Sequence, residues 1–258
     1  MAYSLIIDIG NSATNIAIFK YSRVVATRAI RNTGDPDFSL YIHEMKAFQE
    51  ENNIDPKDVE GGLISSVVPF LTRPLQVAVN AVFGKELEVY SYTYKNNFEC
   101  DIDNPKELGG DLVADIAYAK EILSDSTIIF DLGTVTKYLV IDKSGKFVGC
   151  GFAPGLESTI NGFHNKTALL PEMNSFDPEN AVLIGKNTTQ AMANGVYYMT
   201  VEGILGICKR VEAQLGYHLK KVLTGGNSVF FKEELSSFFY DPNFTLKGIN
   251  FIYDLNRE

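Results

Sequence analysis

Apolar residues fall along this chain in short runs, and two of the runs repeat one plan. Leu5, Ile6 and Ile7 precede Asp8, Gly10 and Ser12, after which residues 14–19 resume a β-rich run. Ile128, Ile129 and Phe130 precede Asp131, Gly133 and Thr134, and residues 135–141 resume in the same way. Each reads as a strand, a glycine turn and a second strand, the first strand apolar enough to be buried on both faces. The two aspartates stand 123 positions apart. That echo predicts a duplicated chain whose halves, residues 1–115 and 116–258, face one another across a cleft.

The intervening pattern supplies the rest of an α/β plan. Residues 24–30 predict a third strand and residues 32–36 a loop. Phe38, Ile42, Met45 and Phe48 then recur at helical spacing up to Asn52 and Asn53. Residues 62–68 read as a short buried strand. Pro69 opens a helix with Leu71, Leu75, Val79 and Val82 on its apolar stripe. Residues 87–90 read as a strand and residues 92–103 as irregular. Leu112, Val113, Ile116, Ala119 and Leu123 share one face of a helix with Gly109, Gly110 and Asp111 at its N-terminal end. In the second half the pattern predicts strands at 127–131, 135–141 and 147–152, a turn at 153–155, and helices at 156–169 and 188–215. Residues 219–230 contain a strand that ends in Gly225-Gly226, a place suited to adenosine because ligands of open α/β sheets collect at strand C-terminal ends.

The turns themselves suggest a phosphate grip. Glycines at 10 and 133 allow positive φ and let backbone N–H groups approach a ligand, and Ser12, Thr14, Thr134 and Thr136 add hydroxyl donors. Asp8 and Asp131 repel a polyphosphate, so a cation must stand between. Either Asp-x-Gly alone is also ordinary hairpin chemistry; the pair argues for more.

Composition narrows the partners. With 32 acidic against 23 basic residues the formal net charge is −9, which gives no footprint for nucleic acid or an anionic membrane. Cys100, Cys150 and Cys208 are an odd, dispersed set, as expected of reduced thiols in a cytoplasmic protein. His43, His164 and His218 are equally scattered, which leaves zinc sites and histidine triads unsupported. Asp8 interrupts the N-terminal apolar run, so that run reads as a core strand and not a signal peptide, and no segment is long enough to span a bilayer.

Several motifs, in order, resemble the type III pantothenate kinases: DIGNSATN from Asp8, SSVVP from Ser65, NPKELGGD from Asn104 and DLGTVT from Asp131. PGL from Pro154, TALLP from Thr167, IGKNT from Ile184 and TGGN from Thr224 continue the likeness. The resemblance implies a duplicated actin-like, ribonuclease-H-like fold and a homodimer. It also implies ATP-dependent phosphorylation of pantothenate, the first step of coenzyme A synthesis, with Mg²⁺ and a monovalent cation, K⁺ or NH₄⁺. Asp8, Ile9, Gly10, Asn11, Ser12, Ala13, Thr14 and Asn15 resemble the first ATP loop, with Asp8 on Mg²⁺ through phosphate. Thr134 resembles a second ATP contact, Asp131 the monovalent-cation ligand and Asp111 the general base. Gly109, Gly110, Asp111 and Thr188 resemble the substrate site.

The chain also departs from the family's usual residues. Leu112 and Ile102 stand where arginine and tyrosine are usual, Lys137 follows Thr136 where a second threonine is usual, and Cys150 replaces one glycine of a pair. Arg31, Arg73 and Lys166 are candidates to replace the missing guanidinium. Two other readings therefore stand beside pantothenate kinase: a non-catalytic, regulatory relative that keeps the nucleotide grip, and a kinase for another small hydroxyl substrate.

Overall fold

The computed structural model describes residues 3–34, 37–173, 176–178 and 181–257; Asp35 and Pro36 of the expected loop lie outside them. In chain order the elements are β1 (Tyr3–Ile9), β2 (Ala13–Lys20), β3 (Arg23–Arg31), α1 (Phe38–Glu51), β4 (Val59–Ser66), α2 (Pro69–Phe83), β5 (Glu88–Val89), β6 (Glu99–Cys100) and α3 (Gly110–Leu123). They continue with β7 (Thr127–Leu132), β8 (Val135–Ile141), β9 (Lys146–Pro154), α4 (Leu156–Lys166), α5 (Thr188–Leu215), β10 (Lys220–Thr224), β11 (Phe239–Tyr240) and α6 (Phe244–Asn256).

Contacts divide the chain into two compact units. The first combines Met1–Phe98, Asp103–Glu121 and Phe244–Glu258, and the second combines Glu99–Ile102 with Ile122–Asn243. Each holds one mixed sheet. The first sheet runs β3-β2-β1-β4-β5 and the second β11-β10-β7-β8-β9-β6. In both, the opening strand pairs antiparallel with the next and parallel with the strand that follows the crossover: β1 with β2 and β4, β7 with β8 and β10. Setting β6 aside, β7 to β11 repeat β1 to β5 strand for strand. The duplication visible in the two Asp-x-Gly turns thus extends to the whole sheet order.

Both opening strands are enclosed. Leu5, Ile6 and Ile7 in β1, and Ile128, Ile129 and Phe130 in β7, expose nothing to solvent, which is why these runs lack the alternation of a half-buried strand. Against β1 pack Tyr41, Met45 and Phe48 of α1 and Leu71, Leu75 and Val79 of α2. Asp37 caps α1 through its carboxylate, and Phe38, directly after that cap, is exposed; Tyr41 takes the buried place instead.

Several boundaries differ from the sequence pattern. The strand expected at 62–68 begins three residues earlier and ends at Ser66. Helix α4 stops at Lys166, and β10 stops at Thr224 because Gly225 turns with φ +91° into a short 3₁₀ helix at Gly226–Phe230. The two-residue β6, within the stretch read as irregular, is too short to carry a period. Helix α6 was not assigned from the sequence, although Phe244, Ile249 and Ile252 are all buried along it. It closes on the first unit: Ser4 Oγ donates to Asn250 Oδ1 at 2.7 Å, and Asn250 Nδ2 donates to the Tyr21 carbonyl at 3.2 Å. A Cβ on Gly248 would stand 2.2 Å from the Ala114 carbonyl oxygen, so α6 crosses α3 at backbone contact.

Two glycine substitutions measure this packing in opposite directions. A Cβ at Gly62 would lie 1.8 Å from the Leu5 carbonyl oxygen, so Gly62→Ala must part β1 from β4 and is expected to cost about 3 kcal/mol or more. Gly162, inside α4 with open space around it, is expected to gain about 0.5–1 kcal/mol on changing to alanine. Urea unfolding midpoints check both.

Candidate active site

In the first unit the turn after β1 is built around Asn32. Gly10 closes the turn by donating its N–H to the Ala13 carbonyl at 3.0 Å. Asn32 Nδ2 donates to the Gly10 carbonyl at 2.8 Å, and the Asn32 backbone N–H donates to the Ser12 carbonyl at 2.9 Å. The Asn32 Oδ1 accepts from Thr14 Oγ1 at 2.9 Å and from the Tyr41 hydroxyl at 3.2 Å. Burial pushes the Tyr41 phenol up, outweighing the hydrogen bond with Thr14 that lowers it. One side chain therefore holds both limbs of the turn.

The expected donors differ in exposure. Thr14 is fully buried and its hydroxyl donates to Asn32. Ile9 is also fully buried, and its carbonyl accepts from the Val67 N–H at 3.0 Å. Ala13 and Asn15 are half-buried, which leaves Asn11 and Ser12 as the exposed tip. The glycines also work differently from expectation: neither Gly10 nor Gly133 has a positive φ, and the left-handed residue near an acidic turn is Gly225.

Asp8, half-buried near the end of β1, pairs across the ladders with Asn15 on β2 and Ser65 on β4. The N-terminus of α3 reaches the same strand ends. A Cβ on Gly110 would sit 2.8 Å from Ser65 Oγ and 2.7 Å from the Tyr90 ring, and one on Gly109 would sit 2.6 Å from Asp111 Oδ1. Gly110 therefore lets α3 start close against β4, and the Asp111 carboxylate folds back over Gly109. Ser65 Oγ is buried and makes no hydrogen bond among the described residues. A hydroxyl withdrawn from water without a partner costs about 1–3 kcal/mol, and this one belongs to the strand partner of Asp8 and lies beside the start of α3.

The second unit repeats the arrangement. Asp131, 7% exposed, pairs with Lys137 on β8 and Thr224 on β10. Thr224 Oγ1, like Ser65 Oγ, is buried without a hydrogen bond among the described residues. Asn227 Nδ2 donates to the Gly133 carbonyl at 3.1 Å, as Asn32 does to Gly10. The Gly155 N–H and Ser158 Oγ donate to the Thr134 carbonyl at 3.1 and 2.8 Å. A Cβ on Gly225 would approach Asp131 Oδ1 to 2.4 Å, so the Thr-Gly-Gly-Asn backbone lies directly against this carboxylate. The Lys137 ammonium stands 2.6 Å from Asp131 Oδ2.

Other expected residues fall as follows. Thr188 is exposed in the first turn of α5, next to the cap Asn187, whose side chain accepts from the Gln190 N–H at 2.9 Å. Leu112 is buried in α3 and Ile102 is half-buried. Among the described residues no three His, Cys, Asp or Glu side chains group to hold a metal. Sequence reasoning missed Asn32 altogether, since it lies twenty positions beyond the turn it clamps. Ser65, Thr224 and Asn227 lay inside quoted motifs without an assigned task.

Two sheets with one strand order, each ending in an aspartate turn, define a duplicated α/β protein of the actin-like class. The activator of 2-hydroxyisocaproyl-CoA dehydratase from Clostridium difficile, solved with bound ADPNP, shares this fold at a TM-score of 0.56 and 13% identity, over 98% of this chain and 94% of that chain. Within the class, the chain belongs to the type III pantothenate kinase family, whose sequence model matches residues 4–210. It is 32% identical over 252 residues to a type III pantothenate kinase from Dictyoglomus turgidum, covering 96% of this chain and 98% of the relative. It is 29% identical over 252 residues to one from Dehalococcoides mccartyi, covering 97% and 95%.

Two substitutions separate architecture from ligand-facing chemistry. Asn32→Ala strips partners from the buried Thr14 and Tyr41 hydroxyls and should cost about 1–3 kcal/mol of stability. Ser65→Ala removes a hydroxyl that makes no hydrogen bond among the described residues and should leave stability unchanged or raise it by up to about 1 kcal/mol. Denaturant unfolding of both variants checks the contrast.

Proposed function

We propose that this protein transfers the γ-phosphoryl group of ATP to the hydroxyl of pantothenate, making 4′-phosphopantothenate and so opening coenzyme A synthesis. The observation that carries this reading is the juxtaposition, at the C-terminal ends of β1 and β4, of Asp8, an unsatisfied Ser65 hydroxyl and Asp111, in a chain that matches the kinase family over residues 4–210.

Phosphoryl transfer is mostly alignment and charge neutralisation. The exposed tip at Asn11 and Ser12, fixed by Asn32, presents donors to phosphate oxygens, and the repeat of that turn gives Thr134 the corresponding role within its own unit. Asp111 orients and deprotonates the acceptor hydroxyl, with Gly109 and Gly110 beside it; Thr188, exposed in the first turn of α5, is a further substrate contact. Asp8 fits Mg²⁺, an ion that takes most of its ligands from phosphate and water and needs only one or two protein carboxylates. When bound, Mg²⁺ neutralises charge on the phosphates. Asp131 does not fit a monovalent metal ion in the same way, because its carboxylate is already paired with Lys137.

The assembly we propose is a homodimer in the cytoplasm. Supporting the first are Leu183, Ile184 and Met199, each more than two-thirds exposed on α5 and the segment before it. Supporting the second are three cysteines without disulfides. One observation favours a different acceptor: Leu112, where the family has arginine, is buried in α3 and offers nothing to a carboxylate. A kinase for an uncharged alcohol is the second reading.

With Mg²⁺ and ATP saturating, pantothenate-dependent ADP release in a coupled assay should fall about 10²–10⁴-fold in Asp111→Asn, the range for a lost general base, with the KM for ATP little changed; wild-type turnover in this variant would remove Asp111 from the role. Acceptors lacking the carboxylate, tested in the same assay, should be poorer than pantothenate, and the reverse order would favour the second reading. Sedimentation equilibrium should return the mass of two chains.

A further inference from the structure

The duplication supplies an internal comparison at one position. Across the first hairpin Asp8 faces Asn15, a neutral amide; across the second, Asp131 faces Lys137. Directly opposed residues on antiparallel strands share a face with their Cβ atoms about 4.5–5.5 Å apart. Lysine at this place therefore reaches the carboxylate without leaving its strand. Nζ and Oδ2 are 2.6 Å apart, and the two side chains are 16% and 10% exposed. A pair so far withdrawn from water is little screened by salt.

The other carboxylate oxygen is crowded by backbone. Gly225 lies against Oδ1 so tightly that a Cβ there would stand 2.4 Å away, and β10 flanks Asp131 through Thr224. A K⁺ or NH₄⁺ ion seeking this carboxylate meets an ammonium of the same charge already in place. A lysine ammonium is itself a compact, strongly hydrated point charge with three donors. It supplies the electrostatics of a monovalent cation from a tether.

We propose that the Lys137 ammonium is this protein's resident monovalent cation, so that the second acidic turn needs no added K⁺ or NH₄⁺ to receive nucleotide. The proposal rests on the reading of the Asp131 turn as nucleotide-facing. The usual threonine in place of Lys137 would return a small oxygen ligand and leave the carboxylate's charge for a diffusible ion.

The test compares wild type with Lys137→Thr in buffers whose only monovalent cation is tetramethylammonium, with and without KCl at matched ionic strength. ATP affinity is read by calorimetry, and ADP release with pantothenate and Mg²⁺ is read in parallel. Wild type should respond to K⁺ by less than about twofold in both readouts, below the about 5–150-fold of coupled sites. Lys137→Thr should bind ATP about tenfold more weakly without K⁺ and recover with it, a loss equivalent to about 1.4 kcal/mol. A wild-type gain of about tenfold or more on adding K⁺, or a folded Lys137→Thr whose ATP affinity is indifferent to K⁺, overturns the proposal. Should the variant fail to fold, the wild-type comparison decides alone. Should wild type release no ADP under any cation, the kinase reading fails, and the calorimetric arm still decides the role of Lys137.

Discussion

The parallel pairing of each opening strand with the strand after the crossover is the constraint on which the rest depends. Because β1 and β4 run the same way, Asp8 and Ser65 finish side by side; because β7 and β10 do, so do Asp131 and Thr224. Parallel ladders demand burial on both faces, and the fully enclosed Leu5–Ile7 and Ile128–Phe130 runs meet that demand. The carboxylates are thereby delivered to the rim of an apolar slab, where their surroundings are set by backbone and by neighbouring strand ends.

At that rim the two units accept the same local penalty. Among the described residues each leaves a buried hydroxyl, Ser65 or Thr224, without a hydrogen bond, and each pins its turn by an asparagine amide to a glycine carbonyl. Rigid turns beside unsatisfied polar groups are what a site prepared for a polar ligand looks like before the ligand arrives. The copies then diverge in charge: the first opposes its aspartate with an amide, the second with an ammonium. Divergence at one cross-strand position, inside an otherwise repeated frame, is how a duplicated fold gives two similar turns unlike tasks.

Much of this was legible in the sequence, and for physical reasons. Continuous apolar runs ending in Asp-x-Gly revealed both opening strands, and the long period from Thr188 to Leu215 fixed α5 to the residue. The family likeness, carried by ordered motifs, pointed to actin-like architecture, which the paired sheets bear out. What escaped was non-local. Asn32 reaches back to a turn far upstream, Thr14 loses its hydroxyl to that contact, and the partnership of Lys137 with Asp131 depends on ladder register, which no linear pattern displays. Left-handed glycine was expected at the acidic turns themselves and instead occurs at Gly225, because the sharp reversal falls after β10.

The return of α6 to the first unit has a bearing on biosynthesis. Its buried Asn250 joins Ser4 across nearly the entire polypeptide, and Gly248 meets α3 backbone to backbone. The first unit therefore waits on α6: until residues 244–256 have been made, strands β1 and β4 lack the helix that lies against them. The unit begun before the other is completed after it, and a chain stalled or clipped ahead of α6 would display unsealed apolar surface to chaperones and proteases.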